Sequence, residues 1–192
     1  MKQSPRSTEL TKHFEQCRLT AYWDGTFTDA QKKKKRWTIG WGETLNICEG
    51  DACTQEEADA WLAKRQADVT TQLLHDIPQV MAVWDLNYTT PYQWMFDAVA
   101  DFTYNLGIER FHESQLRRQL ITTATLGFTA SAVKVIGQQF LNWTLLNGEH
   151  SNGLLRRRLA EQALFVGDFK GDGGLKLTAG DFPDAQWFAV VV

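Results

Sequence analysis

Residues 14–24 read Phe-Glu-Gln-Cys-Arg-Leu-Thr-Ala-Tyr-Trp-Asp, and residues 37–42 read Trp-Thr-Ile-Gly-Trp-Gly. Apolar residues that recur every three or four positions predict an amphipathic helix over residues 7–21. The next residues, 22–25, end in Asp-Gly, which indicates a strand entering a turn. The second segment is rich in β-branched and aromatic residues, and it predicts a returning strand.

Two carboxylates lie on either side of this predicted change from helix to strand. Glu15 and Asp24 are followed by Thr38 on the glycine-punctuated strand. Cutting a glycosidic bond needs one carboxyl group to give a proton, a second to handle the sugar or the attacking water, and a polar group to orient that water. Such a pair is often only a solvated Glu and a turn-forming Asp, but the order Glu-x8-Asp before Thr-Ile-Gly-x-Gly is much more specific. These three residues are therefore the candidate catalytic residues.

The same order of residues resembles the phage-type lysozymes, the endolysin family of tailed bacteriophages. In that family a Glu ends the first helix, an Asp follows, and a Thr-Ile-Gly-x-Gly strand comes next. Further segments resemble the family's central and closing helices, and the resemblance covers roughly residues 10–166. These segments are Phe96-Asp97-Ala98, Phe102 to Gly107, Phe111 to Ser114, Phe140 to Trp143 and Gly153 to Glu161.

The resemblance implies an α+β fold that is mostly α, with the two lobes of a lysozyme. A small antiparallel β-sheet is expected in the N-terminal lobe, and a helical C-terminal lobe is expected to close the cleft. A helix from about 54 to 76 is expected to join the lobes, and Thr54 and Glu57 fit a capping box at its start. We expect residues 1–192 to form a single domain, with 167–192 as a loop-rich C-terminal extension.

Four more helices are predicted along the rest of the chain. The first has an apolar stripe, and Gly107 is expected to be its C-terminal stop. The predicted ranges are 91–106, 109–122, 129–146 and 154–166.

The resemblance implies a glycoside hydrolase, a muramidase that hydrolyses the β-1,4 bond between N-acetylmuramic acid and N-acetylglucosamine in peptidoglycan. Glu15 would protonate the leaving oxygen. Asp24, with Thr38, would position and activate the water or stabilise the positive charge on the sugar. The family is similar to inverting enzymes, whose two carboxyl groups lie roughly 6.5–9.5 Å apart.

Further residues are assigned by the same resemblance. Thr44, Tyr104, Asn105 and Ser114 are the expected sugar contacts. One arginine of the run Arg156 to Arg158 is expected to approach the catalytic Glu, and the spacing does not say which one.

Three other functions stay open at this stage. A lytic transglycosylase cleaves the same bond without water and can work with one Glu, although Asp24 and Thr38 argue against it. A wall-binding protein could keep the fold without catalysis. A bacterial toxin delivered into a competitor's periplasm would use the same fold and residues as a phage endolysin.

The charge of the chain argues against a general nucleic-acid or membrane binder, because the net charge is −3 and the pI is about 5.8. The run Lys32 to Arg36 is an exception, in an interval between Asp24 and Thr38 that is longer than usual in the family. It is either a solvated hairpin tip or a basic patch that holds the anionic cell wall. No stretch approaches the roughly 20 apolar residues of a membrane helix.

Cysteine and histidine spacing predicts no metal site and no cofactor, since neither Cys-x-x-Cys nor His-x-x-x-His occurs. Cys17 is expected to be a small buried hydrophobe on the first helix. Cys48 and Cys53 could form a small-loop disulfide in an oxidising compartment. The sequence leaves that pairing open.

The N-terminus has no apolar segment of the kind that forms a signal peptide. We therefore expect a monomer that accumulates in the host cytoplasm and acts on periplasmic peptidoglycan after release. A membrane-permeabilising protein of the holin type is the implied partner for that release.

Overall fold

The computed structural model describes residues 1–23, 37–86 and 90–167. Within these residues the chain is mostly helical, with short antiparallel strands. The elements in chain order are α1 (Pro5–Glu15), β1 (Arg18–Trp23), β2 (Trp37–Gly40), α2 (Gln55–Asp76), α3 (Pro78–Leu86), α4 (Thr90–Leu106), α5 (Ile108–Glu113), α6 (Gln115–Leu126), α7 (Ala130–Gln138), a 3-10 helix (Gln139–Asn142), β3 (Leu145–Leu146), β4 (Glu149–His150) and α8 (Asn152–Val166). Asp24, the run Lys32 to Arg36 and the tail after residue 167 lie outside the described residues.

The chain divides into two compact units. The sheet unit comprises residues 9–68, and the helical unit comprises residues 1–8 together with residue 69 onward. The sheet unit is therefore inserted into the sequence of the helical unit, and the chain passes from one unit to the other within α1 and within α2.

The sheet unit is built around β1. Strand β2 pairs antiparallel with β1, with Tyr22 opposite Thr38, and the register shifts between Arg18 and Tyr22. On the other edge of β1, Thr20 forms an antiparallel bridge with Ala52. The segment just before α2 thus adds a third piece of extended chain to the sheet.

The predicted helix over residues 7–21 is too long, because α1 ends at Glu15. Gln16 adopts a left-handed conformation with φ of 51°, which an α-helix cannot continue. The residues after it alternate well enough to serve as a strand, and pairing on both edges satisfies their backbone groups. Cys17 accordingly follows the helix and is half-buried.

Two predicted elements of this unit are confirmed. The returning strand is β2, and the joining helix is α2. The capping box at its start forms as expected: the Glu57 N–H donates to Thr54 Oγ1 at 3.1 Å, and the Thr54 N–H donates to Glu57 Oε2 at 2.8 Å.

The helical unit packs aromatic side chains around α4, against which α8 lies. Phe102 on α4 contacts three rings edge-to-face, with centroid distances of 5.2 Å to Phe140, 6.5 Å to Phe111 and 6.2 Å to Trp143. Edge-to-face pairs of this kind stabilise a core beyond the area that they bury. The predicted helix 91–106 is confirmed as α4, and Gly107 follows it with φ of +88°.

Two predicted helices of this unit are wrong in extent. The predicted helix 109–122 is divided at Ser114, whose extended backbone ends α5 and caps α6. The predicted helix 129–146 ends at Gln138 and continues only as a 3-10 turn, and a hairpin of β3 and β4 follows it. Asn147 and Gly148 turn that hairpin with φ of 53° and 87°. Asn-Gly is the strongest short hairpin signal, and it was available in the sequence.

Packing between α7 and α8 depends on a glycine. A Cβ placed on Gly137 would lie 2.5 Å from Val166 Cγ2, whereas one placed on Gly153 would lie 3.7 Å from its nearest neighbour. Alanine is the better helix former at both positions by about 1 kcal/mol, so propensity alone predicts stabilisation.

We predict that Gly137→Ala lowers the free energy of unfolding by about 1–3 kcal/mol, because overpacking outweighs helix propensity. The measurement is urea unfolding followed by circular dichroism, with Gly153→Ala as the control. Adding Val166→Ala to Gly137→Ala removes the contact and is expected to recover part of the loss. Equal midpoints for the two glycine variants would contradict this account.

Candidate active site

Glu15 is the last residue of α1 and is half-buried. Its carboxylate lies beside the turn that follows β2, since a Cβ on Gly42 would be 3.4 Å from Glu15 Oε2. Gly42 itself has φ of +97°, a conformation that favours glycine. The local fold therefore brings a helix-ending carboxylate against Gly42, whose lack of a side chain leaves room next to it.

That turn is held by backbone hydrogen bonds on both sides. Ile39 and Glu43 exchange two N–H···O=C bonds of 2.9 Å each. Arg65 Nη1 donates to the carbonyl oxygen of Gly42 at 3.4 Å. The position of Gly42 next to Glu15 is thus fixed by β2 before it and by α2 beside it.

Thr38 lies on β2, directly opposite Tyr22. It is only 5% exposed, and its hydroxyl has no hydrogen-bond partner among the residues that the structure describes. Asp24 follows β1 in the sequence but lies outside the described residues. The structure therefore places Glu15 and Thr38 in the same unit, and the position of Asp24 stays a prediction.

A small polar network ties α1 to α2 near this turn. Lys12 Nζ lies 3.0 Å from Asp59 Oδ1, and Trp41 Nε1 donates to the same oxygen at 2.7 Å. The hydrogen bond from Trp41, with that from Lys12, lowers the pKa of Asp59 below its ordinary value. Trp41 follows Gly40 directly, so the network also orients the turn beside Glu15.

Thr44, a predicted sugar contact, lies just beyond the turn and is half-buried. Its N–H donates to Glu43 Oε1 at 2.7 Å, and the N–H of Leu45 donates to the same oxygen at 2.7 Å. Among the described residues its hydroxyl makes no hydrogen bond. The side chain of Glu43 thus organises the loop and leaves the Thr44 hydroxyl available.

The other three predicted sugar contacts lie in the helical unit. Tyr104 is almost fully buried, while Asn105 is half-buried at the end of α4. Ser114 is buried and caps α6: its hydroxyl donates to the Phe111 carbonyl at 2.6 Å and accepts from the Arg117 N–H at 3.1 Å. The geometry gives Ser114 a structural role, and its sugar contact stays a prediction.

The arginines of α8 form a buried ionic cluster that the sequence analysis did not find. Arg157 donates to both oxygens of Asp101 at 3.0 and 3.1 Å, and Arg158 donates to Glu161 Oε1 at 2.6 Å. Arg156 is exposed. The three-residue step from Arg158 to Glu161 was a visible helical pairing signal. The partner of Arg157 depends instead on how α4 packs against α8.

Burial dominates the titration of this cluster. It raises the pKa of Glu161 well above 4.5, although Arg158 opposes that shift. Glu161 Oε2 and Arg158 Nε and Nη1 are buried without a partner in the described part of the chain. Burial of the unpartnered Glu161 Oε2 favours the neutral carboxyl group over the carboxylate.

All three cysteines are free thiols in the structure, so the disulfide that the sequence left open is absent between Cys48 and Cys53. Cys48 is exposed and the other two are half-buried. Burial raises the pKa of Cys53 and of Cys17. Within the described ranges, no group of His, Cys, Asp and Glu could hold a metal ion, and no helix is long and apolar enough to cross a membrane.

Comparisons with known proteins agree with this geometry. The model of the phage lysozyme family matches residues 12–161. An endolysin of Acyrthosiphon pisum secondary endosymbiont phage 1 is 32% identical over 167 residues, which are 84% of this chain and 96% of that protein.

Solved structures are similar as well. The muramidase domain of SpmX from Asticaccaulis excentricus is 32% identical, with a TM-score of 0.60, over 86% of this chain and 97% of that one. A P22 lysozyme, at 24% identity and a TM-score of 0.63, covers 86% of this chain and 99% of its own and supports the fold alone. The fold and these relatives together define a lysozyme-like glycoside hydrolase. The chain belongs to the phage lysozyme family.

We predict that Gly42→Ala lowers wall-clearing activity at least tenfold, because its methyl group would meet the Glu15 carboxylate at 3.4 Å. Gly50→Ala is the matched control: its φ is +88°, close to the +97° of Gly42, and a Cβ there meets nothing within 4 Å. Both variants carry similar backbone strain, about 1–3 kcal/mol. Activity is measured by turbidity and stability by urea unfolding. Equal activities in the two variants would refute a special role for the space beside Glu15.

The buried carboxyl group gives a pH-dependent prediction. Because the pKa of Glu161 is higher in the folded protein than its ordinary 4.5, its contribution to stability is fully present below pH 4.5 and is lost as the pH rises through the folded pKa. We predict that Glu161→Gln gains stability relative to wild type as the pH is raised from about 4.5 to 7.5. Urea unfolding across that range measures the difference.

The control for this experiment is Glu113→Gln, which changes an exposed carboxylate at the end of α5. Its stability relative to wild type is expected to stay nearly constant over the same range. If the unfolding free energy of Glu161→Gln relative to wild type also stays constant over this pH range, the claim that burial raises the pKa of Glu161 is contradicted.

Proposed function

We propose that this protein is an endolysin, a muramidase that hydrolyses the β-1,4 bond between N-acetylmuramic acid and N-acetylglucosamine in bacterial peptidoglycan. The observation that carries the proposal is the Glu15 carboxylate at the end of α1, beside the Gly42 turn of the Thr-Ile-Gly-x-Gly segment. Membership of the phage lysozyme family over residues 12–161 supports it. The muramidase domain of SpmX, at 32% identity, supports the same activity.

In the proposed reaction Glu15 gives its proton to the glycosidic oxygen as the bond to the anomeric carbon breaks. A water molecule bonds to that carbon on the opposite face of the sugar. Asp24 takes a proton from this water or stabilises the positive charge on the sugar, and the Thr38 hydroxyl orients the water. Because water attacks the face opposite the leaving group, the anomeric carbon is inverted, which is the course that two separated carboxyl groups allow. The reaction consumes one water and leaves a new reducing end.

We also propose that Thr44, Tyr104, Asn105 and Ser114 contribute to sugar binding. The available hydroxyl of Thr44 and the half-exposed amide of Asn105 support those two assignments best. Tyr104 and Ser114 are largely buried, so any contact they make is made with little exposed surface.

Release is a further part of the proposal. An enzyme that is made in the host cytoplasm and acts on periplasmic peptidoglycan must pass the inner membrane. We propose that a holin-type permeabilising protein provides that passage and that the enzyme acts as a monomer. Induced expression of the chain alone is then expected to leave host cells intact until the membrane is permeabilised with chloroform, as followed by culture turbidity.

We predict that Glu15→Gln and Asp24→Asn each clear outer-membrane-permeabilised Gram-negative cells at least a hundredfold more slowly than wild type. Loss of a positioned acid or base removes roughly 10²–10⁴-fold in rate. The matched control is Glu9→Gln, which makes the same chemical change at an exposed position of α1 and is expected to keep wild-type activity.

Product analysis completes the test. Mass spectrometry of the released fragments is expected to show reducing muramic acid ends, whereas a transglycosylase would leave anhydro-muramic ends. Clearing by folded Glu15→Gln at the wild-type rate would refute the mechanism and favour a wall-binding protein.

A further inference from the structure

One buried side chain links the ionic cluster of the helical unit to a predicted sugar contact. Arg158 is 0% exposed, and its Nη2 donates both to Glu161 Oε1 at 2.6 Å and to Asn105 Oδ1 at 3.0 Å. Its guanidinium carbon also lies 4.9 Å from the centre of the Phe102 ring. Arg158 therefore touches a buried acid, a buried ring and a half-exposed amide at once.

The chemistry of the guanidinium sets the orientation of that amide. Arginine has five N–H donors and no acceptor, so the atom of Asn105 that faces Arg158 has to be the oxygen. The Asn105 Nδ2, with its two N–H donors, consequently points the other way. Among the described residues Asn105 makes no further hydrogen bond, so these donors are available to a ligand.

Arg158 itself is held firmly. Moving Arg158 would break its 2.6 Å hydrogen bond to Glu161, and leaving a buried donor or acceptor without its partner costs free energy. Phe102, on the opposite side, is fully buried in the aromatic core. The neighbouring Arg157 donates to both oxygens of Asp101 and lies 3.5 Å from Glu161 Oε1.

We propose that Arg158 is a positioning residue for glycan binding: it fixes the amide of Asn105 so that Nδ2 donates to an acceptor oxygen of the sugar. The inference rests on the proposed muramidase function for the identity of the glycan. The acceptor is either an acetamido carbonyl or a ring hydroxyl, because both accept an N–H. In this arrangement Arg158 never touches the substrate and acts only through Asn105.

The test measures binding and turnover separately. Binding is measured by calorimetry on Glu15→Gln protein with the tetrasaccharide of alternating N-acetylglucosamine and N-acetylmuramic acid, so that no hydrolysis is needed. Asn105→Ala is expected to raise Kd about tenfold, as the loss of one hydrogen bond does. In otherwise wild-type protein the same change is expected to raise KM about tenfold and to leave kcat within about threefold.

Arg158 is tested with its partner. Arg158→Met together with Glu161→Met removes both members of the buried pair, so that neither is left without the other. This double change is expected to raise Kd about as much as Asn105→Ala does and to add nothing in an Asn105→Ala background. Arg158→Lys as a single change keeps a donor-only group beside Asn105. Its Kd is therefore expected to lie much closer to that of the parent than the Kd of the double Met variant does. A second tenfold loss in the Asn105→Ala background would overturn the inference and assign Arg158 a merely structural role.

Further arms keep the test informative if the Met variants fold poorly. Asn105→Asp keeps an oxygen facing Arg158 and replaces the outward donor with an acceptor, so it is expected to raise Kd at least as much as Asn105→Ala. An unchanged Kd would overturn the inference.

N-deacetylated tetrasaccharide is expected to bind Asn105→Ala and its parent equally if the acetamido carbonyl is the acceptor, and to keep the tenfold difference if a hydroxyl is. Failure of wild type to hydrolyse peptidoglycan, with Kd still dependent on Asn105, would count against the proposed function alone.

Discussion

The left-handed backbone of Gln16 ends α1, and the position of Glu15 in the sheet unit depends on that break. A left-handed φ of 51° costs a side-chain-bearing residue free energy, and it is held here because the next residues pair on both edges of β1. Ending α1 at this point makes Glu15 its last residue. Starting β1 at Arg18 then brings Tyr22 opposite Thr38 and directs the chain toward Asp24. If the helix continued to residue 21, as its apolar spacing suggests, the sheet would lose its central strand.

Much of the fold could be predicted wherever one local signal decides the structure. The capping box of Thr54 and Glu57 marks the start of α2, and Gly107 marks the end of α4. The prediction failed where two signals overlapped. Cys17 and Ala21 fit both a helical face and an alternating strand, and nothing about Gln16 announces a left-handed backbone. Helix breaks at capping residues such as Ser114 were missed because the apolar pattern continues through them.

The candidate site likewise contains residues that the sequence identifies and residues that it does not. Glu15, Asp24 and Thr38 could be proposed as catalytic residues because their types and order suit the hydrolysis of a glycosidic bond. The partner of Arg157 could not, since Asp101 is 56 residues away and meets it only because α4 packs against α8. The same packing brings Arg158 to Asn105. A buried ionic cluster is a tertiary property, and a linear pattern shows only its i,i+3 and i,i+4 members.

The insertion of the sheet unit into the sequence of the helical unit has a consequence for biosynthesis. The first residues of the chain belong to the helical unit, where the N–H and hydroxyl of Ser4 donate to the buried carboxylate of Asp97 at 3.0 and 2.5 Å. On the ribosome Ser4 emerges before its binding surface on α4, which is made some ninety residues later. Residues 9–68 are complete long before that. The half that carries Glu15 can therefore fold before α4 is made, whereas the docking of Ser4 onto the helical unit has to wait for Asp97.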